Sequence, residues 1–270
     1  MGTTFKPIGE ITVLSFGGGV QSTAMLIAAV LGKLPRPDVA IFADTQWEPP
    51  VVIEHVKFMT AWAQERDFEV CTITKGSIRN ARGASIMPLS LLNPDGSLGK
   101  GSRQCTTEYK IDPIRKEVRR RLGYTKGQRW KHQLHTWLGI TIDEAHRMKP
   151  AHKVWDTAHW PLIEELNWNR EDCKRYIESV GLPVPMKSSC IGCPYHSDMY
   201  FRTMKQERPE EWADVVAFDD YLRSGDPEIE ALGYRGKPFI HAKCIPLKEV
   251  YLQEDQRELF GEECSGYCEA

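Results

Sequence analysis

The pattern of apolar and polar positions is sharpest near the start of the chain. Ile11-Thr12-Val13-Leu14 is a short apolar run rich in β-branched residues, as in a strand buried on both faces. Ser15-Phe16-Gly17-Gly18-Gly19-Val20-Gln21-Ser22-Thr23 follows, a turn with three consecutive glycines, and residues 24–31 are apolar and mostly helix-forming. The alternation then repeats. Val39-Ala40-Ile41-Phe42-Ala43 reads as a second strand ending at Asp44-Thr45. Pro49 opens a helix with Val52, Val56, Met59 and Trp62 near helical spacing, and residues 68–73 read as a third strand. Strand–helix alternation of this kind predicts an α/β fold, a doubly wound parallel sheet. Ligands of such sheets sit beyond the carboxyl ends of the strands, where the glycine turn, Asp44-Thr45 and Thr74-Lys75-Gly76 converge.

The pattern weakens over residues 77–104, a stretch with Asn93-Pro94-Asp95-Gly96-Ser97 and Gly99-Lys100-Gly101 that is long for an inert loop and is expected to be a mobile lid. Asp112-Pro113 signals a helix start, with Asp as N-cap and Pro at the first helical position, and Gly123 its end. Residues 136–140 read as another strand. Asn169 caps a helix that Gly181 and Pro183 close, and beyond it cysteines, aromatics and short helices replace strand patterns. Two regions are expected: residues 1–168 as the sheet domain and 169–270 as a smaller, cysteine-rich helical region.

Composition adds bounds. With 270 residues, 41% hydrophobic and 27% charged, the chain is ordinary for a globular protein. A net charge of −2 argues against strong sequence-blind affinity for nucleic acid but leaves room for a local basic patch. No apolar run reaches membrane-spanning length and the first residues lack a signal peptide's apolar core, so a cytoplasmic protein without membrane contact is expected. Eight cysteines then point to metal or redox chemistry sooner than to structural disulfides.

A strand, a glycine turn and a helix start form an anion site: glycines let backbone N–H groups approach a phosphate, and the helix end adds partial positive charge. No Lys-Ser/Thr pair follows and the glycines are not spaced G-x-G-x-x-G, so the common phosphate motifs are excluded. Cys190-Ile191-Gly192-Cys193 is a C-x-x-C, with Cys105 far upstream and Cys244 downstream; Cys264 and Cys268 lie in the tail. Four thiolates suit an iron–sulfur cluster or zinc, and spacing does not separate the two. Cys71 and Cys173 fall on a strand and a helix and are expected to pack as small apolar residues. Arg119-Arg120-Arg121, Lys126, Arg129-Trp130-Lys131-His132 and His135 mix charge with aromatic rings, as surfaces for single-stranded nucleic acid do, although a solvated helix end explains them nearly as well. His146, His152, His159 and His196 lack metal-ligand spacing with one another.

The glycine turn resembles the pyrophosphate loop of the adenine nucleotide alpha-hydrolase superfamily, S-x-S-G-G-x-D-S, and within it the phosphoadenosine phosphosulfate (PAPS) reductase family. Gly17 replaces a common serine and Gln21 a common aspartate. Phe42-Ala43-Asp44-Thr45 with Glu48 resembles the family's second-strand motif; Gly139-Ile140 with Glu144 and Arg147, and Trp160-Pro161-Leu162 with Trp168 to Tyr176, resemble later ones. The resemblance spans roughly residues 11–200. It implies that Ser15, Phe16, Gly17, Gly18, Gly19, Gln21 and Ser22 hold ATP or PAPS/APS (adenosine phosphosulfate) phosphates with Mg²⁺, that Asp44 or Thr45 lies near adenosine, that Gly139 lets the ligand approach, and that Arg147 faces phosphate. Cluster-bearing APS reductases have a cysteine pair, then C-x-x-C, and basic residues that match Lys110 and Arg115. Here Gln104 replaces one cysteine of the pair, so Cys105, Cys190 and Cys193 need a fourth donor for a [4Fe-4S] cluster: Cys244 first, Cys264 or Cys268 second. Glu263-Cys264 also resembles the reductases' catalytic tail, making Cys264 and Cys268 candidate nucleophiles or sulfur carriers.

Three functions follow as expectations. The first is ATP cleavage between the α- and β-phosphates coupled to sulfur transfer onto an acceptor, a nucleic acid among the candidates. The second is a sulfonucleotide reductase releasing sulfite through a tail cysteine, and the third a non-catalytic nucleotide-binding module with structural zinc. A thioredoxin-like protein or a cysteine desulfurase is the expected donor partner, and a homodimer the expected assembly.

Overall fold

The computed structural model describes residues 7–151 and 153–252. A five-stranded, wholly parallel sheet forms its centre: β1 (Glu10–Ser15), β2 (Val39–Asp44), β3 (Val70–Thr74), and two later strands introduced below. β2 is buried along nearly its whole length and draws on Val39, Ala40, Ile41 and Phe42, so it is the apolar run expected of a strand covered on both faces. α1 (Val20–Val30) and α2 (Pro50–Gln64) connect these strands and cover one face, where Met25, Leu26, Val56 and Met59 pack with Leu14 and Phe42.

The chain next folds where a mobile lid was expected. α3 (Ala81–Ile86) is capped by Asn80, whose side chain accepts from Gly83 N at 2.8 Å. β4 (Ser90–Leu92) and β5 (Leu98–Lys100) make a hairpin whose tip is the Asn93-Pro94-Asp95-Gly96-Ser97 stretch, with Asp95 accepting from Ser97 N at 2.9 Å. Three-residue strands are too short to show a period of two, and the partner that stabilises them comes from near the other end of the chain.

A second difference follows at Cys105. The chain is already helical there and passes through one π turn, Thr107–Ile111, into α4 (Asp112–Arg121). Asp112 is helical (φ −64°, ψ −40°) and not a cap. Pro113 has no N–H to give the helix ladder, and the wider π turn before it relieves the ring's clash with the preceding turn. α4 covers the other face of the sheet through Ile114 and Val118, which pack on Ile11, Val13 and Ile41.

β6 (Gln133–Trp137) pairs with β1, and β7 (Asp156–His159) adds the outer strand, giving the order β3-β2-β1-β6-β7. β6 ends at Trp137, short of the expected Ile140, so Leu138-Gly139-Ile140 lies beyond the sheet's carboxyl edge. The strand order reverses between β1 and β6, and this is the switch point at which such sheets bind ligands. Asp156 anchors the start of β7, accepting from Arg115 (2.7 Å) and from Thr136 Oγ1 (2.8 Å). A short helix, α5 (Pro161–Glu164), precedes α6 (Arg170–Ser179), which begins with a capping box between Asn169 and Asp172. Cys173 and Ile177 of α6 pack in the same core as α1, so this helix covers the sheet, although residue 168 was the expected boundary.

The second apolar core joins α3 and Tyr109 to α7 (Asp198–Glu207), α8 (Pro209–Tyr221), α9 (Pro227–Glu230) and Ile240, which directly follows β8 (Lys237–Phe239), the antiparallel partner of β4. The division by packing is therefore not a cut in sequence: residues 78–109 belong with 191–247. Among the described residues no helix is long and apolar enough to cross a membrane.

Candidate nucleotide and thiol site

The glycine turn leaves β1 with Phe16 buried in the sheet's core and its N–H bonded to Ile41 O (3.0 Å). Gly18 has φ +74°, and a Cβ there would stand 2.9 Å from Val56 of α2, so both the backbone and the space require glycine. Ser22 folds back to close the turn: its Oγ accepts from Gly17 N (3.2 Å) and donates to Gly19 O (3.3 Å). Gly19 is the N-cap and has no side chain to satisfy the first turn of α1. The N–H groups of that turn thus face the site with the helix dipole behind them.

Gly139 brings the β6 side against this turn. A Cβ on it would lie 2.9 Å from Ser22 N and 3.2 Å from Gln21 Cβ. The next turn, Ile142–Arg147, carries Glu144 in the bridge region (φ −113°, ψ 15°). Gln21 Nε2 donates to Glu144 Oε2 at 3.2 Å, and Arg147 pairs with Glu144 Oε1 at 2.9 Å. Gln21, at 1% exposure, keeps its Oε1 buried with no hydrogen-bond partner, and the Thr141 hydroxyl is likewise buried and unpartnered. Burial raises the Glu144 carboxyl above its ordinary range; Arg147 and Arg170 oppose the rise and Asp143 adds to it.

The carboxyl end of β2 carries the second half of the site. Asp44 is spent on the turn, its Oδ1 accepting from Gln46 N (2.7 Å) where Gln46 takes φ +56°. Thr45 Oγ1 lies 3.3 Å from both Glu48 Oε1 and Cys190 Sγ. The Glu48 side chain is fully buried and pairs with Lys110, on the π turn, at 3.3 Å. Its Oε1 is also 3.9 Å from Cys190 Sγ. Burial and then the Glu48 charge push the Cys190 thiol well above its usual range, against the pull of Lys110 and Thr45, so the resting group is the neutral thiol.

The C-x-x-C loop is pinned to this edge. Ser188 Oγ donates to Gly17 O, and Ile191 N donates to Trp47 O (2.8 Å). A Cβ on Gly192 would fall 2.0 Å from the Trp47 ring, so the loop lies flat on that indole. Trp47 in turn donates to Asp214 (2.5 Å), which pairs with Arg79 (2.8 Å), tying both to α8.

The expected metal set is only partly assembled. All of Cys71, Cys105, Cys173, Cys190, Cys193 and Cys244 are free thiols. Cys105 and Cys193 line one cavity of about 30 Å³ with Arg103, Ser189, Tyr195 and His196, a space that holds little more than a water. Cys190 faces Thr45 and Glu48 instead, and Cys244 is buried in a separate turn (φ +52°). Among the described residues no three His, Cys, Asp or Glu side chains are placed to hold a metal ion. As arranged, they do not fit a four-thiolate cluster or a tetrahedral zinc. The tail cysteines Cys264 and Cys268, like His152, lie outside the described residues.

The basic and aromatic cluster is largely engaged within the fold. Tyr124, Trp130 and Trp155 stack on one another (5.3 and 4.2 Å), with Arg119 over the first two rings. Arg120 and Arg121 pair with Glu117, and Arg121 also with Glu69. Arg115, expected beside the first cysteine, bonds Asp156 at the foot of β7. Glu48, Lys110 and Glu144 fell within the motifs without a stated partner, and Ser188, next to the C-x-x-C, carried no signal of its own.

No family model matches the chain, and no curated protein matches it. Two solved structures of the kinds its motifs resemble are similar to it. One is a phosphoadenylyl-sulfate (PAPS) reductase from Candida auris, in a phosphate complex, 15% identical with a TM-score of 0.36; the match covers 64% of this chain and 74% of that one. The other is the U34-tRNA thiolase NcsA from Methanococcus maripaludis with its [4Fe-4S] cluster, 14% identical with a TM-score of 0.37, covering 81% and 73%. Both likenesses are distant, and the chemistry of this chain is carried by its own geometry.

Proposed function

We propose that the protein is an adenine-nucleotide-dependent enzyme that cleaves ATP between its α- and β-phosphates and transfers sulfur to the acceptor so activated. One observation carries this reading: the thiol loop is bonded onto the phosphate-binding turn through Ser188 to Gly17, with Cys190 of that loop against Thr45 at the carboxyl end of β2. The N–H groups at the start of α1 receive phosphate, and Arg147 supplies positive charge beside them. Gln21 Oε1 and Glu144 would offer oxygen donors to Mg²⁺ bound with the nucleotide, whose charge would offset that of the pyrophosphate.

In this scheme an acceptor oxygen attacks the α-phosphorus and pyrophosphate leaves with the bonding electrons, which makes the acceptor an adenylate. Cys190, loaded as a persulfide by a cysteine-desulfurase-type donor, attacks the activated carbon with its outer sulfur, and AMP leaves. A second thiol, Cys193 or Cys105, then attacks the Cys190 sulfur. The thiolated acceptor departs with the electrons of the broken S–S bond, the two cysteines are left as a disulfide, and a thioredoxin-like dithiol reduces it. The sequence does not route through a metal cluster.

The test is product analysis on full-length protein given ATP, Mg²⁺, a persulfide donor and bulk tRNA or single-stranded DNA. AMP and pyrophosphate formed together, with Cys190→Ser keeping ATP binding but losing sulfur transfer, support the proposal. AMP and sulfite from APS or PAPS, with no ATP turnover, would replace it with the reductase. Nucleotide bound without any product would leave a binding module.

A further inference from the structure

The switch point holds one buried carboxylate, and its surroundings are unusual for a phosphate site. Glu144 is 7% exposed and sits against the first turn of α1, where the N–H groups await an anion. A carboxylate and a phosphate repel at such range, so Glu144 opposes the very ligand the helix end attracts. Two features resolve the conflict. Gln21 presents its amide N–H to Glu144, which leaves Oε1 of the same amide buried and without a partner. Arg147 holds the other carboxylate oxygen. A carboxylate and an amide oxygen side by side are hard donors, the kind Mg²⁺ takes, and Mg²⁺ completes its shell with phosphate oxygens and water. No protein cage of three or more acidic, His or Cys side chains exists among the described residues, so a cation held here would depend on phosphate for most of its ligands.

We propose that Glu144, set by Gln21, is the residue that makes this site select the divalent-cation complex of a pyrophosphate-bearing nucleotide over the free nucleotide. The inference rests on the nucleotide reading given above. Without the cation, Glu144 repels the phosphates; with it, the carboxylate and Gln21 Oε1 become ligands. Arg147 keeps the carboxylate turned toward Gln21 in both states, and Arg170 offsets the charge of Asp143 behind it.

The experiment is calorimetric titration of the full chain with ATP and with inorganic pyrophosphate, each with Mg²⁺ and in EDTA, for wild type, Glu144→Gln and Glu144→Asp. Mn²⁺ binding is followed in parallel by electron paramagnetic resonance with and without pyrophosphate. The wild type is expected to bind at least ~10-fold tighter with Mg²⁺, a difference of about 1.4 kcal/mol. In Glu144→Gln the metal-free affinity rises several-fold and the Mg²⁺ advantage shrinks to near one; Glu144→Asp, with a shorter reach, falls between. Mn²⁺ binds appreciably only when pyrophosphate is present. If ATP binds but Glu144→Gln keeps the wild-type Mg²⁺ advantage, the inference is wrong and the nucleotide reading stands. If neither wild type nor Glu144→Gln binds ATP or pyrophosphate under any condition, both fall. Thermal melts of each variant establish that it is folded.

Discussion

The phosphate end and the thiol end of the site are built in opposite ways. The phosphate end is largely local: residues 15–23 contain the turn, its closing serine and the helix start, and Gly139, Glu144 and Arg147 are brought against it from the β6 side. The thiol end is assembled from three distant segments, with Thr45, Trp47 and Glu48 after β2, Lys110 on a π turn, and Cys190 on a loop that belongs to the second core. A local motif survives almost any change in the rest of the fold. An assembled one depends on every segment that meets there, so substitutions at the thiol end should couple strongly and those within the glycine turn should not.

The largest effect is expected from splitting the buried ion pair. Lys110→Met strands the Glu48 carboxylate in the interior, which costs about 3–5 kcal/mol. Adding Glu48→Gln should recover most of the loss, and a double-mutant cycle by urea denaturation measures the coupling. Additive losses would mean the two side chains do not act as a pair. Gly192→Ala comes next. Its Cβ would meet the Trp47 ring at 2.0 Å, so the C-x-x-C loop must lift, at roughly 1–3 kcal/mol. Alkylation of Cys190 should then speed up while ATP affinity changes little, and an unchanged alkylation rate would show that the loop is not held by that contact.

Ser188→Ala removes the Ser188 side-chain bond from the thiol loop to the glycine turn and should cost about 1 kcal/mol. Here the readout that matters is a shift in Cys190 reactivity when ATP is added. A response equal to wild type would show that the two ends communicate by another path. The remaining effect is a pH slope at the phosphate end. His55 bonds Thr23 of α1 at 3.0 Å, and burial lowers its pKa from 6.5 to about 4. The unfolded chain therefore binds a proton between those values that the native chain does not. Stability contributed by the neutral ring is whole above pH 6.5 and falls as pH drops toward 4, by at most about 1.4 kcal/mol per unit. His55→Gln should flatten that slope. His196, lowered by burial to about 3, pulls the same way and remains in the variant as the residual slope.

Much of this site was legible because its chemistry is local. Glycines 17–19 with Ser22 announce an anion turn from composition alone, since only glycine tolerates φ +74° there at no cost. The Asn169 capping box and the apolar run of β2 likewise follow from neighbouring residues. Arg115 and the Trp130 cluster were less legible for the complementary reason. A basic or aromatic residue declares its chemistry but not its partner, and here the partners are Asp156 and two other rings.

The sequence by itself determined a parallel α/β sheet and a phosphate turn after its first strand, because strand period, turn residues and helix starts are written over short spans. Tertiary structure alone decided the rest. It placed β6 beside β1, so that Gly139 and Glu144 meet the start of α1. It folded residues 77–104 onto β8 instead of leaving them as a lid. It also turned Cys190 toward Thr45 and a buried Glu48–Lys110 pair, while Cys105 and Cys193 line a small cavity of their own. Spacing along a chain gives the order of side chains; which of them can touch is set by how the two cores pack, and that is a property of contacts between residues far apart in sequence.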